Sequence, residues 1–313
     1  MSSSSQPLAH PQVELSVVIA VYKCRRTLAE LHRRLGIVLA SLVSSYEIVF
    51  VDDDCPDNSW EEIQRLACED VRVHGIMLSR NFGQSIAIAA GLSETRGRRV
   101  VVMDGDLQDP PEAIHLLWRA AEKGALLVYG KRRSDHQSAT RIGAGKLYFT
   151  FLRLISGRNI DPGYGTFTLL SREVVDAYLQ FGEPNRHYLF ILYWLGCGGI
   201  NVEYDRDKRD VGKSSYHFWR LVRHSYQGVI FYSQSLLYIL AVLSGTLASV
   251  SLAFAIFGAG SPLLYSIQLG LFGILISGVL LILGTFAANI LEYTKRRPLF
   301  IVLKRTRRTV EPQ

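Results

Sequence analysis

Over the first 210 residues, short apolar runs alternate with stretches whose apolar positions recur at helical spacing. Glu14–Val21 (ELSVVIAV) is a continuous apolar run that predicts a strand, and a helical pattern follows from Thr27 to Leu42. The same alternation gives a strand at Tyr46–Val51, a helix at Asn58–Ala67, a strand at Val71–Leu78 and a helix at Gln84–Ser93. Next come a strand at Arg98–Met103, a helix after Pro110-Pro111 and a strand at Ala125–Tyr129. Strands apolar at every position must be covered on both faces, so the pattern predicts an α/β, Rossmann-like domain with a mostly parallel sheet. Ligands of such sheets bind beyond the carboxyl ends of the strands. Three predicted strand ends carry polar or aromatic residues: Tyr22, the run Asp52-Asp53-Asp54, and Asp104-Gly105-Asp106.

The pattern then changes. From Ser225 to Leu291 there is no Asp, Glu, Lys, Arg or His, a segregation hidden by the 20% charged fraction of the whole chain. Gly258-Ala-Gly-Ser-Pro262 divides this stretch into Ser235–Phe257 and Leu264–Asn289. As helices these would reach about 35 and 39 Å, enough for a hydrocarbon core of about 30 Å. A buried core helix is the alternative, but two adjacent ones of this length point to a transmembrane hairpin. Arg220 and Arg223 precede it and Lys295–Arg297 follow it, so the positive-inside rule puts both termini and the first domain in the cytoplasm. Tyr216–His224 mixes aromatic, apolar and basic residues at helical spacing and predicts a juxtamembrane amphipathic helix within residues 213–228. Leu147–Ile155 either touches lipid or packs on the core.

Charge adds to this picture. Of the net +7, the tail from Glu292 to Gln313 supplies seven basic residues against two acidic ones. Directly after an apolar span, such a tail is expected to meet anionic lipid and set topology rather than bind nucleic acid. The expected organisation is a lead-in over 1–12, a catalytic domain over 13–212, spans at 235–257 and 264–289, and a cytoplasmic tail over 292–313. The first twelve residues lack a basic and apolar leader, so no signal peptide is expected. Cys24, Cys55, Cys68 and Cys197 lie far apart without metal spacing and read as reduced thiols.

The acids at the strand ends suggest chemistry. Two carboxylates one residue apart on an extended chain stay close to the strand tip, where one can take a hard divalent cation and the other orient it or bind a ribose. Solvated acids explain Asp104 and Asp106 equally well when taken alone, and helix capping by Asp57 or Asn58 explains the polar residues after Asp54. The conjunction is more specific. SVVIAVY (16–22), EIVFVDDD (47–54), LSRNFGQSIAIAAGL (78–92), VVMDGDLQDPPE (101–112) and VYGKRR (128–133) occur in this order. Over residues 14–215 the chain resembles the family 2 glycosyltransferases of GT-A fold. Within them it is similar to the polyprenyl-phosphate branch of dolichyl-phosphate mannose synthases and bactoprenol glucosyltransferases.

The resemblance implies a nucleotide-sugar donor, a polyprenyl (undecaprenyl or dolichyl) phosphate acceptor, Mg²⁺ or Mn²⁺, and residence in a bacterial inner membrane. By position, Asp53 would contact the nucleobase with Val51 beside it and Tyr22 stacked nearby, and Ala20 would line the donor site. Asp104 and Gly105 would line the nucleoside, and Asp106 and Gln108 would hold the metal. Arg132 would meet the diphosphate or the acceptor phosphate, and Arg141 and Lys213 the acceptor phosphate. Arg209, followed by Gly212 and Ser214, would close over the nucleotide. Each of these basic residues could instead be a solvated loop charge.

Departures from the family pattern bear on the sugar and base. The opening P-V-Y-N-E is Ala20-Val-Tyr22-Lys23-Cys24, and V-D-D-G-S is Val51-Asp-Asp-Asp54-Cys55. D-x-G-D-F-R gives way to Asp161-Pro-Gly-Tyr-Gly165-Thr166-Phe167-Thr168, and G-E-S-K to Gly212-Lys213-Ser214-Ser215. A lipid phosphate is already largely ionised near neutral pH and can attack without a protein base, whereas an alcohol would want one. Asp109, Asp161 and His187 are the side chains that could act as a base. The expected reaction is an inverting transfer. Transfer to a lipid hydroxyl and an inactive membrane nucleotide-sugar sensor are the alternatives. Small residues over Gly270–Gly284 would permit packing between protomers.

Overall fold

The computed structural model describes residues 13–133, 164–183, 186–206, 242–250, 252 and 262–306. They fall into two compact units, one of residues 13–133, 164–183, 186–206 and 298–306 and another of 242–250, 252 and 262–297.

The first unit carries β1 (Leu15–Val21), α1 (Arg25–Leu42), β2 (Tyr46–Asp52), α2 (Ser59–Glu69), β3 (Val73–Leu78), α3 (Gln84–Glu94) and β4 (Arg99–Asp104). After a 3₁₀ turn at Pro111–Ala113 come α4 (Ile114–Glu122), β5 (Leu127–Arg132), β6 (Tyr164–Ser171), α5 (Arg172–Leu179), α6 (Tyr188–Leu195), β7 (Ile200–Tyr204) and β8 (Val302–Arg305). The sheet runs β7-β5-β6-β4-β1-β2-β3-β8. Pairs β4·β1, β1·β2, β2·β3 and β5·β7 are parallel; β4·β6, β5·β6 and β3·β8 are antiparallel. The α/β GT-A-like layer expected from the sequence is present, with a sheet more mixed than the apolar pattern suggested.

The strands read as continuous apolar runs because both faces are covered. Val17, Ile19, Val21 and Phe50 join α1, α2 and α4 in one fully buried cluster. On the other face α3 lies so close that a Cβ on Gly91 would come within 2.4 Å of Val18 and 2.9 Å of Val51. Burying each such Val, Leu or Ile contributes about 1.5–3 kcal/mol, which is what holds the strand ends in place. The Asp57 carboxylate accepts from the Ser59 amide (3.3 Å) and hydroxyl (2.6 Å) and, through its other oxygen, from the Arg25 amide (3.1 Å). One acid thus serves the amino ends of both α1 and α2; Asn58 makes no side-chain cap.

Residues 302–305 depart from the expectation of a lipid-facing tail. As β8 they pair with β3, Met77 opposite Lys304, and hydrogen bonds from the Ser79 amide to Ile301 O and from the Thr306 amide to Gly75 O (both 2.9 Å) extend the ladder. Arg305 also pairs with Glu94 at 2.9 Å. Half of this short segment is basic, so no apolar period announced it.

In the second unit, residues 242–250 are helical and α7 spans Pro262–Thr294, with proline at its first position, where the missing N–H costs nothing. Ile267–Thr294 is long and apolar enough to cross a membrane, and the helix runs five residues beyond the Asn289 boundary read from the sequence. The remainder of the first span, the Tyr216–His224 helix and Leu147–Ile155 lie outside the described residues.

Candidate active site

At the carboxyl edge of the sheet, β4 ends in Asp104. Its Oδ1 accepts from Gln84 Nε2 (2.6 Å), at the start of α3, and from Thr166 Oγ1 (2.9 Å) on β6. Burial and the neighbouring carboxylates Asp109 and Asp106 push its pKa up to about 6. Asp106 accepts from the Gln108 amide at 3.1 Å across Leu107, whose φ of 59° is left-handed. That turn folds the segment back on itself, so Asp106 and Gln108 flank one bend. The Gly105 carbonyl accepts from Thr27 Oγ1 (2.6 Å) of α1.

Asp109, fully buried, accepts from the Tyr204 hydroxyl at 2.6 Å. Arg206 Nε lies 3.4 Å from the same oxygen. Arg132, at the end of β5, interacts with the Tyr204 hydroxyl and lies in the field of Asp109 and Asp104. Burial works against the charged guanidinium, but those neighbours raise its pKa. Three carboxylates and two guanidinium groups therefore meet at the ends of β4, β5 and β7. Their mutual repulsion, visible at Asp104, is what a divalent cation would relieve. Among the described residues no three His, Cys, Asp or Glu side chains form a ready-made metal cluster. A site of one carboxylate and one amide suits a hard cation that takes the rest of its oxygens from a diphosphate.

The other predicted residues sit as follows. Asp53 is buried, and its two carboxylate oxygens accept from the Phe82 (2.7 Å) and Gly83 (2.8 Å) amides. It thereby fixes the loop that starts α3, while burial raises its pKa against those two bonds. Val51 is buried beneath α3. Ala20 lies in register between Val51 and Asp104. Tyr22 is exposed at the end of β1, with Lys23 Nζ 5.4 Å from its ring centroid. The Cys24 thiol, pushed up to about 11 by burial, stays protonated. Arg141, Asp161, Arg209, Lys213 and Ser214 lie outside the described residues.

Residues 16–179 match the family described as glycosyl transferase family 2. The chain belongs to that family. Among its relatives are an uncharacterized glycosyltransferase, sll0501, of Synechocystis sp., 31% identical over 93% of this chain and 95% of the relative. Another is YkcC of Bacillus subtilis, 32% identical over 93% and 94%. The fold is similar to that of mannosyl-3-phosphoglycerate synthase from Rubrobacter xylanophilus, at TM-score 0.50 and 18% identity over 72% of this chain and 74% of that one. This protein is thus a family 2 glycosyltransferase. Four residues that the structure brings to these acids were given no role from the sequence: Gln84, Thr166, Tyr204 and Arg206. Gln84 and Thr166 lie inside quoted motifs without a role, and Tyr204 and Arg206 follow no local pattern.

Proposed function

We propose that this glycosyltransferase moves a sugar from a nucleotide-sugar donor to a polyprenyl phosphate, with inversion, at the cytoplasmic face of a bacterial inner membrane. The observation that carries the membrane half of this reading is β8. The chain leaves the sheet, passes through its apolar stretch, and returns to pair with β3. We read the apolar stretch as a hairpin that crosses the bilayer twice, with 235–257 as the other span, and the return of the chain to β3 supports that reading. Such a hairpin would hold the sheet on the side where an acceptor with a membrane-bound tail presents its headgroup.

The chemistry fits a phosphate acceptor. Asp106 and Gln108 would hold Mg²⁺ or Mn²⁺, which when bound offsets the charge that grows on the departing nucleoside diphosphate. Arg132 supplies fixed positive charge beside them. Tyr22 and Gly105 border the donor's nucleoside. Asp109 is fully buried and engaged by Tyr204, and the His187 ring stacks on Phe190 at 4.0 Å. Neither is poised as a base, which a phosphate monoester does not require.

The test uses membranes containing the full chain, a panel of radiolabelled nucleotide sugars and undecaprenyl phosphate, with and without EDTA. Acid-labile label in the organic phase, lost with EDTA and in Asp106→Ala, is expected. Acid-stable lipid label would replace the acceptor by a hydroxyl. Intact nucleotide binding without transfer from any donor would make the protein a sensor.

A further inference from the structure

Arg132 is held from three sides by groups with no assigned role. Its guanidinium interacts with the Tyr204 hydroxyl, and that hydroxyl donates to Asp109 at 2.6 Å, giving a chain from Arg132 through Tyr204 to a fully buried carboxylate. The Tyr204 ring is fixed edge-on against Phe167, centroids 5.0 Å apart. On the remaining side stands Gly165, where a Cβ would come within 2.6 Å of Arg132 Nη2. Arg132 Nε, buried, has no hydrogen-bond partner, nor has the second oxygen of Asp109. A side chain this restrained, with a donor left unused, is organised for an anion rather than for the fold alone.

We propose that Tyr204, Asp109 and Gly165 are positioning residues that fix the Arg132 guanidinium for a phosphate or diphosphate group, with Arg206 as a second cation on Asp109. The proposal rests on the transferase reading above and deepens it. The Tyr204 hydroxyl accepts from the guanidinium, and Asp109 sets the direction of that hydroxyl. The missing side chain at 165 gives Arg132 its slot. This also gives a physical content to one departure from the family pattern, since Gly165 belongs to the segment that lacks the usual acid and arginine.

Two sources of phosphate are possible, the donor's diphosphate and the acceptor's monoester, and two measurements separate them. Binding of UDP and GDP to the detergent-solubilised full chain, by calorimetry with Mn²⁺, reads the donor side; the KM for undecaprenyl phosphate reads the acceptor side. Tyr204→Phe keeps the ring against Phe167 and Gly165→Ala displaces the flexible end of Arg132, so both variants are expected to fold. Each should weaken whichever constant Arg132→Lys weakens, by about five- to twentyfold, the scale of one charge-assisted hydrogen bond. In an Arg132→Lys background, Tyr204→Phe should then change that constant less than twofold, because it acts through Arg132. Full additivity, or variants that lower the melting temperature while leaving both constants unchanged, would overturn the proposal. Weakened nucleotide binding in an enzyme that does not use undecaprenyl phosphate would retain the positioning and discard the acceptor.

Discussion

Asp104 offers a prediction in which stability and activity part company. In the native protein its carboxyl titrates at about 6, against 3.8 in an unfolded chain. Between those values the folded state binds more protons than the unfolded one, so stability falls as pH rises through this window and stays low above it. At about 1.36 kcal/mol per pH unit, the ionised Asp104 destabilises the neutral, metal-free protein by up to about 3 kcal/mol. Asp104→Asn removes the charge but keeps an Oδ1 able to accept from Gln84 and Thr166. At pH 7.5 in EDTA the variant should be about 1–3 kcal/mol more stable, raising Tm by roughly 3–10 °C, while losing turnover. Thermal unfolding of the detergent-solubilised full chain between pH 4 and 8 is the assay. The advantage should shrink below pH 6 and vanish near pH 4. A variant less stable than the parent at pH 7.5, or equally advantaged at pH 4 and 7.5, would refute the reasoning.

Glu47, at the opposite edge of the sheet, should behave in the reverse way: Glu47→Gln places a donor among the Ser16, Arg96 and Gly97 donors and should cost about 2–4 kcal/mol, with a lower Tm and unchanged kcat/KM. Ending the chain after Arg297 removes β8 and bares the edge of β3. The truncated protein should insert in membranes but melt earlier and aggregate, seen by light scattering; unchanged Tm and dispersity would show that β8 does not support the sheet.

The parallel half of the fold was legible because β1, β2 and β4 are buried on both faces, which leaves an uninterrupted apolar run in the sequence. β6 was not, because Thr166 and Thr168 interrupt its apolar character. Thr168 is tolerated inside by its hydrogen bonds with the Thr166 carbonyl (3.3 Å) and with Tyr188 (2.6 Å), the latter contributed by a helix twenty residues away. β8 was hidden for another reason: an edge strand facing solvent has no apolar period, and its partner lies on the far side of the apolar stretch. In the candidate site, Asp104, Asp106, Gln108 and Arg132 stand out in the sequence as motif residues, and the structure places them at or just beyond the ends of β4 and β5. Tyr204 and Arg206 come from a segment whose relevance depends on β5·β7 pairing, a non-local event that local spacing does not encode. Asp53, marked in the sequence for a nucleobase, has a backbone amide on each of its oxygens, a loop contact that the sequence did not announce.

The two edges of the sheet divide the energetics between them. At the amino edge, Glu47 accepts from Ser16 Oγ (2.7 Å), from the Arg96 amide (2.6 Å) and from the Arg96 side chain (3.2 Å), and Gly97 closes the ring by donating to Ser16 (2.8 Å). Both oxygens of Glu47 are engaged there. At the carboxyl edge, three adjacent strands run into left-handed non-glycine residues: Leu107 (φ 59°) after β4, Lys23 (φ 59°) after β1 and Asp54 (φ 54°) after β2. Each costs about 1–2 kcal/mol, beside carboxylates that repel one another and a guanidinium with an unused donor. Such an arrangement persists only because the strands beneath it are buried on both faces and pinned at their other ends. Two carboxylates of one sheet thus carry opposite signs: neutralising Glu47 weakens the protein, and neutralising Asp104 strengthens it while removing what the strain is there to serve.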